Sequence, residues 1–106
     1  MGLAAAWDLG RQPGITAVGI VDRDSSVTER AARELLPLWE RTRGDGEPPA
    51  VETRTFDLGS PGLVSLFEPW DVVLSCADYR FNVEITRAAI EARTHACDLG
   101  GNLFVV

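Results

Sequence analysis

The chain alternates short apolar blocks with longer amphipathic stretches along its whole length, and this alternation constrains the fold more than any other feature. Short apolar runs bounded by turn residues or acids are typical of strands in a buried parallel sheet, whereas apolar residues at helical spacing predict helices. Strict alternation of the two patterns indicates an α/β fold with right-handed crossovers. The predicted elements are a helix over Leu3–Leu9, a strand over Ala17–Val21, a helix from Ser26, an edge strand over Val51–Phe56, a short helix from Ser60 to Phe67 with Pro61 in its first turn, a strand over Asp71–Ala77, a helix over Phe81–Ala92 and a strand over His95–Leu99. The strands over Ala17–Val21 and Asp71–Ala77 are predicted to be buried on both faces, and the second of them to be central in the sheet. The apolar face of the helix over Phe81–Ala92 is predicted to comprise Phe81, Ile85, Ala88, Ala89 and Ala92.

The second helix carries the clearest local signals. Ser26 and Glu29 have the spacing of a capping box, in which each side chain accepts a hydrogen bond from an otherwise unpaired backbone amide. Pro37 predicts a bend or a break, and the stretch Arg43–Pro49 predicts a loop to which we assign no function. The residues predicted to face the core are Val27, Ala31, Leu35, Leu38 and Trp39.

The order of elements begins with a helix, whereas units of this kind normally begin with a strand. In a sheet of strand order 3-2-1-4-5 the absent strand is the central one, which would pair with the strands ending at Asp22 and Ala77. The sequence therefore predicts a Rossmann-like parallel sheet that lacks its first, central strand. Because unpaired inner edges invite association, we expect marginal stability, aggregation or a homo-oligomer.

Composition limits the classes of function. At 106 residues the chain is one small domain at most, too short to hold a cofactor domain together with a substrate domain. A net charge of -6 argues against a nucleic-acid partner, and no apolar run is long enough to span a membrane.

Cys76 and Cys97 lie in separate apolar runs and are predicted to be buried and reduced. Since Met1–Leu9 has no basic lead-in or clear cleavage site, we expect a cytoplasmic protein.

Two residues match the requirements of a dinucleotide site. Gly2 opens the first helix, where the third glycine of G-x-G-x-x-G permits close packing of helix and strand. Asp22 follows twenty residues later at the end of the next strand, the position of the acid that binds the ribose hydroxyls. The same residues also fit a glycine after an initiator methionine and an acid that caps a helix.

Four further segments are informative when taken together: Gly2–Leu9, Val21–Asp24, Asp78–Asn82 and Cys97–Asn102. They resemble the amino-terminal domain of the saccharopine dehydrogenase family, especially its lysine 6-dehydrogenase-like branch. The resemblance implies that residues 1–106 are a partial dinucleotide-binding domain without the substrate domain. The resemblance extends nearly from end to end, and it makes Met1 an internal methionine within the phosphate loop of a truncated chain. Asp78 stands where that family commonly has proline.

The resemblance implies NAD or NADP as cofactor, and oxidation or reduction at a carbon–nitrogen bond of an amino-acid-like substrate. Asp22 favours NAD because a carboxylate repels a 2′-phosphate, whereas Arg23 could accept that phosphate. Ser75, Cys76 and Ala77 would lie along the cofactor at the carboxyl end of their strand. Asp57 is a candidate for contact on the adenine side or for a strand-end cap. The small amino-acid-like substrate would also need a second domain.

The catalytic residues are not identified by the sequence. Tyr79 and Arg80 are candidates for substrate contact, although an Arg here can equally form a salt bridge and a Tyr can pack beneath the loop. Asn82 is expected to cap the following helix. His95, Cys97 and Asp98 do not predict a metal site, because Asp98 points away from the other two in a strand.

Two other functions remain open. A Rossmann-like S-adenosylmethionine-dependent methyltransferase would also place an acid at the second strand, but the segment Asp98–Asn102 disfavours it. Alternatively, the chain is a non-catalytic fragment or binding module with no activity of its own.

Overall fold

The computed structural model describes residues 2–42 and 47–98 and shows helices alternating with strands throughout. Four helices, four strands and one short 3₁₀ turn lie within the described residues. In chain order they are α1 (Gly2–Gly10), β1 (Ala17–Asp22), α2 (Ser25–Thr42), β2 (Ala50–Thr55), α3 (Leu63–Phe67), β3 (Val72–Ser75), the 3₁₀ turn Tyr79–Phe81, α4 (Asn82–Ala92) and β4 (His95–Asp98). The predicted α/β class with parallel strands is confirmed.

The strands form two separate parallel pairs. β1 pairs with β2 from Ala17 opposite Ala50 to Asp22 opposite Thr55, and β3 pairs with β4 from Val72 opposite His95 to Ser75 opposite Asp98. The chain divides into two compact units, Met1–Asp57 and Leu58–Val106, and each contains one pair. The expectation of one partial domain over residues 1–106 stays a prediction.

The core of the first unit lies between α1, α2 and one face of its sheet. Leu35 and Trp39 of α2 are fully buried and pack with Val18 of β1. Gly10, the last residue of α1, lies so close to the Trp39 indole that a Cβ atom at this position would overlap the ring. Close packing of the two helices therefore depends on a glycine.

The core of the second unit is formed by α3 and α4. Phe67, Ile85, Ala88 and Ala89 are buried together, with Phe81 and Ala92 packed against them, which confirms the predicted apolar face of α4. Buried Thr94 donates a hydrogen bond from Oγ1 to the carbonyl oxygen of Phe67 at 3.0 Å. This bond ties the end of α4 to the end of α3. None of the described helices is long and apolar enough to cross a membrane.

The start of α2 differs from the prediction. The helix begins one residue before Ser26, and Asp24 is its cap: the Asp24 Oδ1 atom accepts hydrogen bonds from Ser26 N at 2.9 Å and Ser26 Oγ at 2.7 Å. A carboxylate is the stronger acceptor here because its bonds are charge-assisted. The predicted capping box of Ser26 and Glu29 is therefore wrong.

The buried face of α2 is also shifted. Val27 is 47% exposed, and Thr28 is buried in its place with Oγ1 donating to the Ser25 carbonyl at 3.0 Å. Because that bond satisfies the hydroxyl, a threonine can occupy the core-facing position. The helix continues through Pro37 to Thr42, so the predicted break does not occur.

The starts of α3 and α4 also differ from the prediction. α3 begins at Leu63, after Gly62 at a φ of 106°, so Pro61 is not in its first turn. Asn82 is the first residue of α4 and does not cap it; Phe81 occupies the cap position without a side-chain bond.

The prediction that β1 and β3 are buried on both faces is wrong. Val21 is 44% exposed and Val72 is 56% exposed. Each strand belongs to a pair with one neighbour in the described part of the chain, so β3 is not central in its sheet. The two thiols are free, but Cys97 is exposed and Cys76 half-buried, because β4 is exposed along its length and Cys76 lies beyond the end of β3. The predictions on Met1, Arg43–Gly46 and Leu99–Asn102 lie outside the described residues.

Candidate functional site

The carboxyl ends of β1 and β2 bring together three of the predicted site residues. Asp22 is the last residue of β1, Arg23 follows it, and Asp57 lies two residues beyond the end of β2. The strands are parallel, and the backbone N–H of Phe56 donates to the carbonyl oxygen of Asp22 at 3.0 Å. Both strands therefore end at one edge of the sheet, the edge at which α/β folds bind ligands.

The carboxylate of Asp22 is held in place by its own loop. The side chain is half-buried, and its Oδ1 atom accepts a hydrogen bond from the Asp24 backbone N–H at 3.0 Å. Its Oδ2 atom has no donor within residues 2–42 and 47–98. An oriented carboxylate with one oxygen available can accept hydrogen bonds from the hydroxyls of a ribose.

Asp24, which the sequence did not single out as a site residue, donates its backbone N–H to Asp22 and accepts two hydrogen bonds from Ser26. Its hydrogen bonds from the Ser26 side chain and backbone lower the pKa of the Asp24 carboxyl below its ordinary value. Asp24 is thus ionised and bound to the start of α2, and Arg23 between the two acids is exposed. The spacing Asp-x-Ser immediately before an amphipathic stretch was the signal for this cap.

Gly2 is exposed at the first residue of α1. The last residue of the helix, Gly10, is linked to the start of β1 by residues 11–16, and Ala6 and Trp7 pack on the same core as Val18. The carboxyl end of α1 is therefore joined to the start of β1 by a short loop, and Gly2 begins the helix at its other end.

In the second unit, the candidates at the end of β3 have different environments. Ser75 is buried, and its Oγ atom accepts a hydrogen bond from the Ala77 backbone N–H at 3.4 Å. Ser75 Oγ therefore shapes the turn after the strand, while Cys76 is half-buried and Ala77 is exposed. These three residues form the predicted end of the strand, although only Ser75 is within β3 itself.

Arg80 is paired with Asp78 across the 3₁₀ turn. Its Nε and Nη2 atoms each donate to a different Asp78 oxygen, both at 3.1 Å, and the Arg80 backbone N–H donates to Asp78 Oδ1 at 3.0 Å. These hydrogen bonds lower the pKa of Asp78 and raise the pKa of Arg80. Tyr79 between them is 40% exposed. Of the two roles expected for Arg80, the structure therefore shows the salt bridge, which Arg80 forms with Asp78.

Asp78 also lies at the position where proline was the residue expected from the sequence. Its backbone has φ −56° and ψ 138°, which lies within the range that the proline ring imposes. The loop after β3 thus has a backbone conformation that either residue can adopt.

Among residues 2–42 and 47–98, no group of three His, Cys, Asp or Glu side chains could hold a metal ion. The segment that follows Asp98, which carries part of the resemblance, lies outside the described residues. No family model matches the chain, and no solved structure matches it significantly.

Proposed function

We propose that this chain is the NAD(P)-binding portion of a saccharopine dehydrogenase-like oxidoreductase with a Rossmann-like sheet. The observation that carries the proposal is the Asp22 carboxylate, fixed at the carboxyl end of β1 by the Asp24 amide with Oδ2 left without a described protein donor. Ribose recognition in such folds needs an acid with this placement and this spare acceptor.

The pairing of the strands supports the same proposal. A sheet of order 3-2-1-4-5 without its first strand leaves two parallel pairs, the second strand with the third and the fourth with the fifth. β1 with β2 and β3 with β4 are pairs of that kind.

The choice of cofactor is proposed from the loop after β1. The Asp22 carboxylate favours NAD because it would repel a 2′-phosphate, whereas the exposed Arg23 guanidinium offers a partner for NADP. Ser75, Cys76 and Ala77 are the proposed contacts along the cofactor, and Asp57 the proposed contact on its adenine side.

The proposed reaction is hydride transfer at a carbon–nitrogen bond of an amino-acid-like substrate in cytoplasmic amino-acid metabolism. Tyr79 and Arg80 are the candidates on the substrate side. Because Arg80 is already paired with Asp78, a substrate carboxylate would have to share or displace that partner. A second domain would supply the rest of the substrate site.

Binding of nucleotides to the full chain tests the proposal. Energy transfer from tryptophan to NADH or NADPH, and calorimetry with NAD, NADP and S-adenosylmethionine, measure each ligand separately. We expect Asp22→Asn to weaken NAD binding by roughly tenfold or more, since a hydrogen bond to a charged group contributes about 1.5–3 kcal/mol. Arg23→Gln should weaken NADP binding and leave NAD binding unchanged.

Asp71→Asn is the matched control, because Asp71 is an exposed acid just before β3 rather than after a strand. Binding of S-adenosylmethionine alone would favour the methyltransferase instead. A folded chain that binds none of these ligands would reject the proposal and favour a non-catalytic module.

A further inference from the structure

The outer edge of β2 has its own pattern of free backbone groups. The N–H of Ala50 donates to Thr16 and the N–H of Phe56 donates to Asp22, so alternate residues of β2 point their backbone groups toward β1. The intervening residues Val51, Thr53 and Thr55 therefore point their N–H and C=O groups away from β1. No described strand pairs with this outer edge.

The side chains along this edge are charged in a self-complementary order. Glu52, Thr53 and Arg54 are consecutive and exposed, with Glu52 and Arg54 on the same face of the strand. Within the part of the chain that the structure describes, neither Glu52 nor Arg54 forms an ion pair.

We propose that β2 pairs in antiparallel orientation with β2 of a second copy of this chain, about a two-fold axis at Thr53. This register places Glu52 of each copy opposite Arg54 of the other, and Thr53 opposite Thr53. One two-fold operation thus makes two cross-strand ion pairs from a single strand, as an isologous interface requires.

The backbone geometry fits the same register. Because Thr53 points its N–H and C=O groups outward, the two Thr53 residues exchange a pair of hydrogen bonds, and Val51 exchanges a second pair with Thr55 of the other copy. Glu52 and Arg54 then occupy the non-hydrogen-bonded positions, where side chains on opposite strands approach most closely. A parallel, in-register pairing would instead set Glu52 beside Glu52, which is destabilising.

The dimer is independent of cofactor binding, and charge reversal tests it. Sedimentation equilibrium of the full chain at a fixed ionic strength should show a monomer–dimer equilibrium. Glu52→Arg alone and Arg54→Glu alone should each weaken the dimer by about tenfold or more, because each places like charges opposite one another. An equimolar mixture of the two variants should recover a dimer, since one chain then presents two positive charges and the other two negative charges.

Controls separate this edge from other effects of charge and from other edges. Glu29→Arg and Arg33→Glu, on the exposed face of α2, change the net charge by the same amounts and should leave dimerisation unchanged. Thr53→Pro removes an outward N–H, a change that edge strands tolerate, and should abolish the dimer while circular dichroism stays unchanged.

A monomeric wild-type chain would overturn the proposal. A dimer that survives both single charge reversals, as expected if β1 or β3 supplied the interface, would also overturn it. Failure of the mixture to associate would reject the Glu52–Arg54 register.

Discussion

The indole Nε1 of Trp39 donates a hydrogen bond to the backbone carbonyl oxygen of Trp7 at 3.0 Å, which joins α2 to α1 across 32 residues of sequence. Trp39 is fully buried and has its donor satisfied. The indole Nε1 of Trp7 is buried without a hydrogen-bond partner among the described residues. The indole N–H of Trp39 therefore stabilises the fold, whereas the buried indole N–H of Trp7 destabilises it.

We expect Trp39→Phe to lower the free energy of unfolding more than Trp7→Phe. The first change leaves the Trp7 carbonyl without its donor, at a cost of about 1–3 kcal/mol in addition to lost packing. The second removes an unsatisfied donor, which offsets part of the loss of ring area and of the Arg11 guanidinium contact 4.6 Å from the ring centroid. Urea unfolding of both variants measures the difference, and a larger loss for Trp7→Phe would contradict this account.

Gly10→Ala should destabilise the first unit, because its Cβ would overlap the Trp39 indole. Overpacking of this kind costs about 1–3 kcal/mol, more than the gain in helix propensity returns at a helix end. Gly14→Ala is the control: Gly14 has a φ of 89°, and a Cβ there meets nothing within 4 Å. Its cost is limited to backbone strain of about 1–2 kcal/mol. Equal stability of Gly10→Ala and wild type in thermal unfolding would show that the helices can separate without penalty.

Element type was predictable from the sequence because apolar periodicity reports it directly. The face of α4 with Ile85, Ala88 and Ala89 was read correctly, since one stripe packs on one core. The burial of the strands was not predicted correctly. An apolar run shows that a strand is suited to a buried position, but it does not show whether a neighbouring element packs on it. Val21 and Val72 are exposed for that reason.

At the candidate site, position was predictable and hydrogen bonding was not. Asp22 was expected at the end of β1 from spacing alone, and it lies there. Its bond from Asp24, and the pairing of Arg80 with Asp78, depend on local backbone angles that spacing does not fix. Asp24 and Ser26 compete for the same cap, and the ionised acceptor takes it.

The stability of the first unit should depend on pH through Asp24. The pKa of this carboxyl is lowered from 3.8, chiefly by the hydrogen bond from the Ser26 side chain. A group whose pKa is depressed in the folded state contributes stability above its unfolded pKa and loses it as the pH falls through the folded pKa. We therefore expect the melting temperature to include an Asp24 contribution that is constant above pH 3.8 and declines below it.

Asp24→Asn retains a capping side chain that does not titrate, so the gap in melting temperature between wild type and this variant should narrow as the pH falls below 3.8. In Ser26→Ala the pKa of Asp24, followed by carboxyl NMR shifts, should rise toward its ordinary value. A gap that widens on acidification would show that Asp24 is not the cap.

The pairing of Asp78 with Arg80 should be visible in the titration of Asp78. Its pKa is lowered first by the Arg80 side chain and second by the Arg80 backbone N–H, so Arg80→Gln should raise it toward 3.8 without full recovery. Arg87→Gln, which changes an exposed guanidinium on α4, should leave the pKa of Asp78 unchanged. Carboxyl NMR titration of the full chain makes both measurements. An unchanged Asp78 pKa in Arg80→Gln would mean that the guanidinium is not held by Asp78 and is available to a substrate carboxylate without displacement.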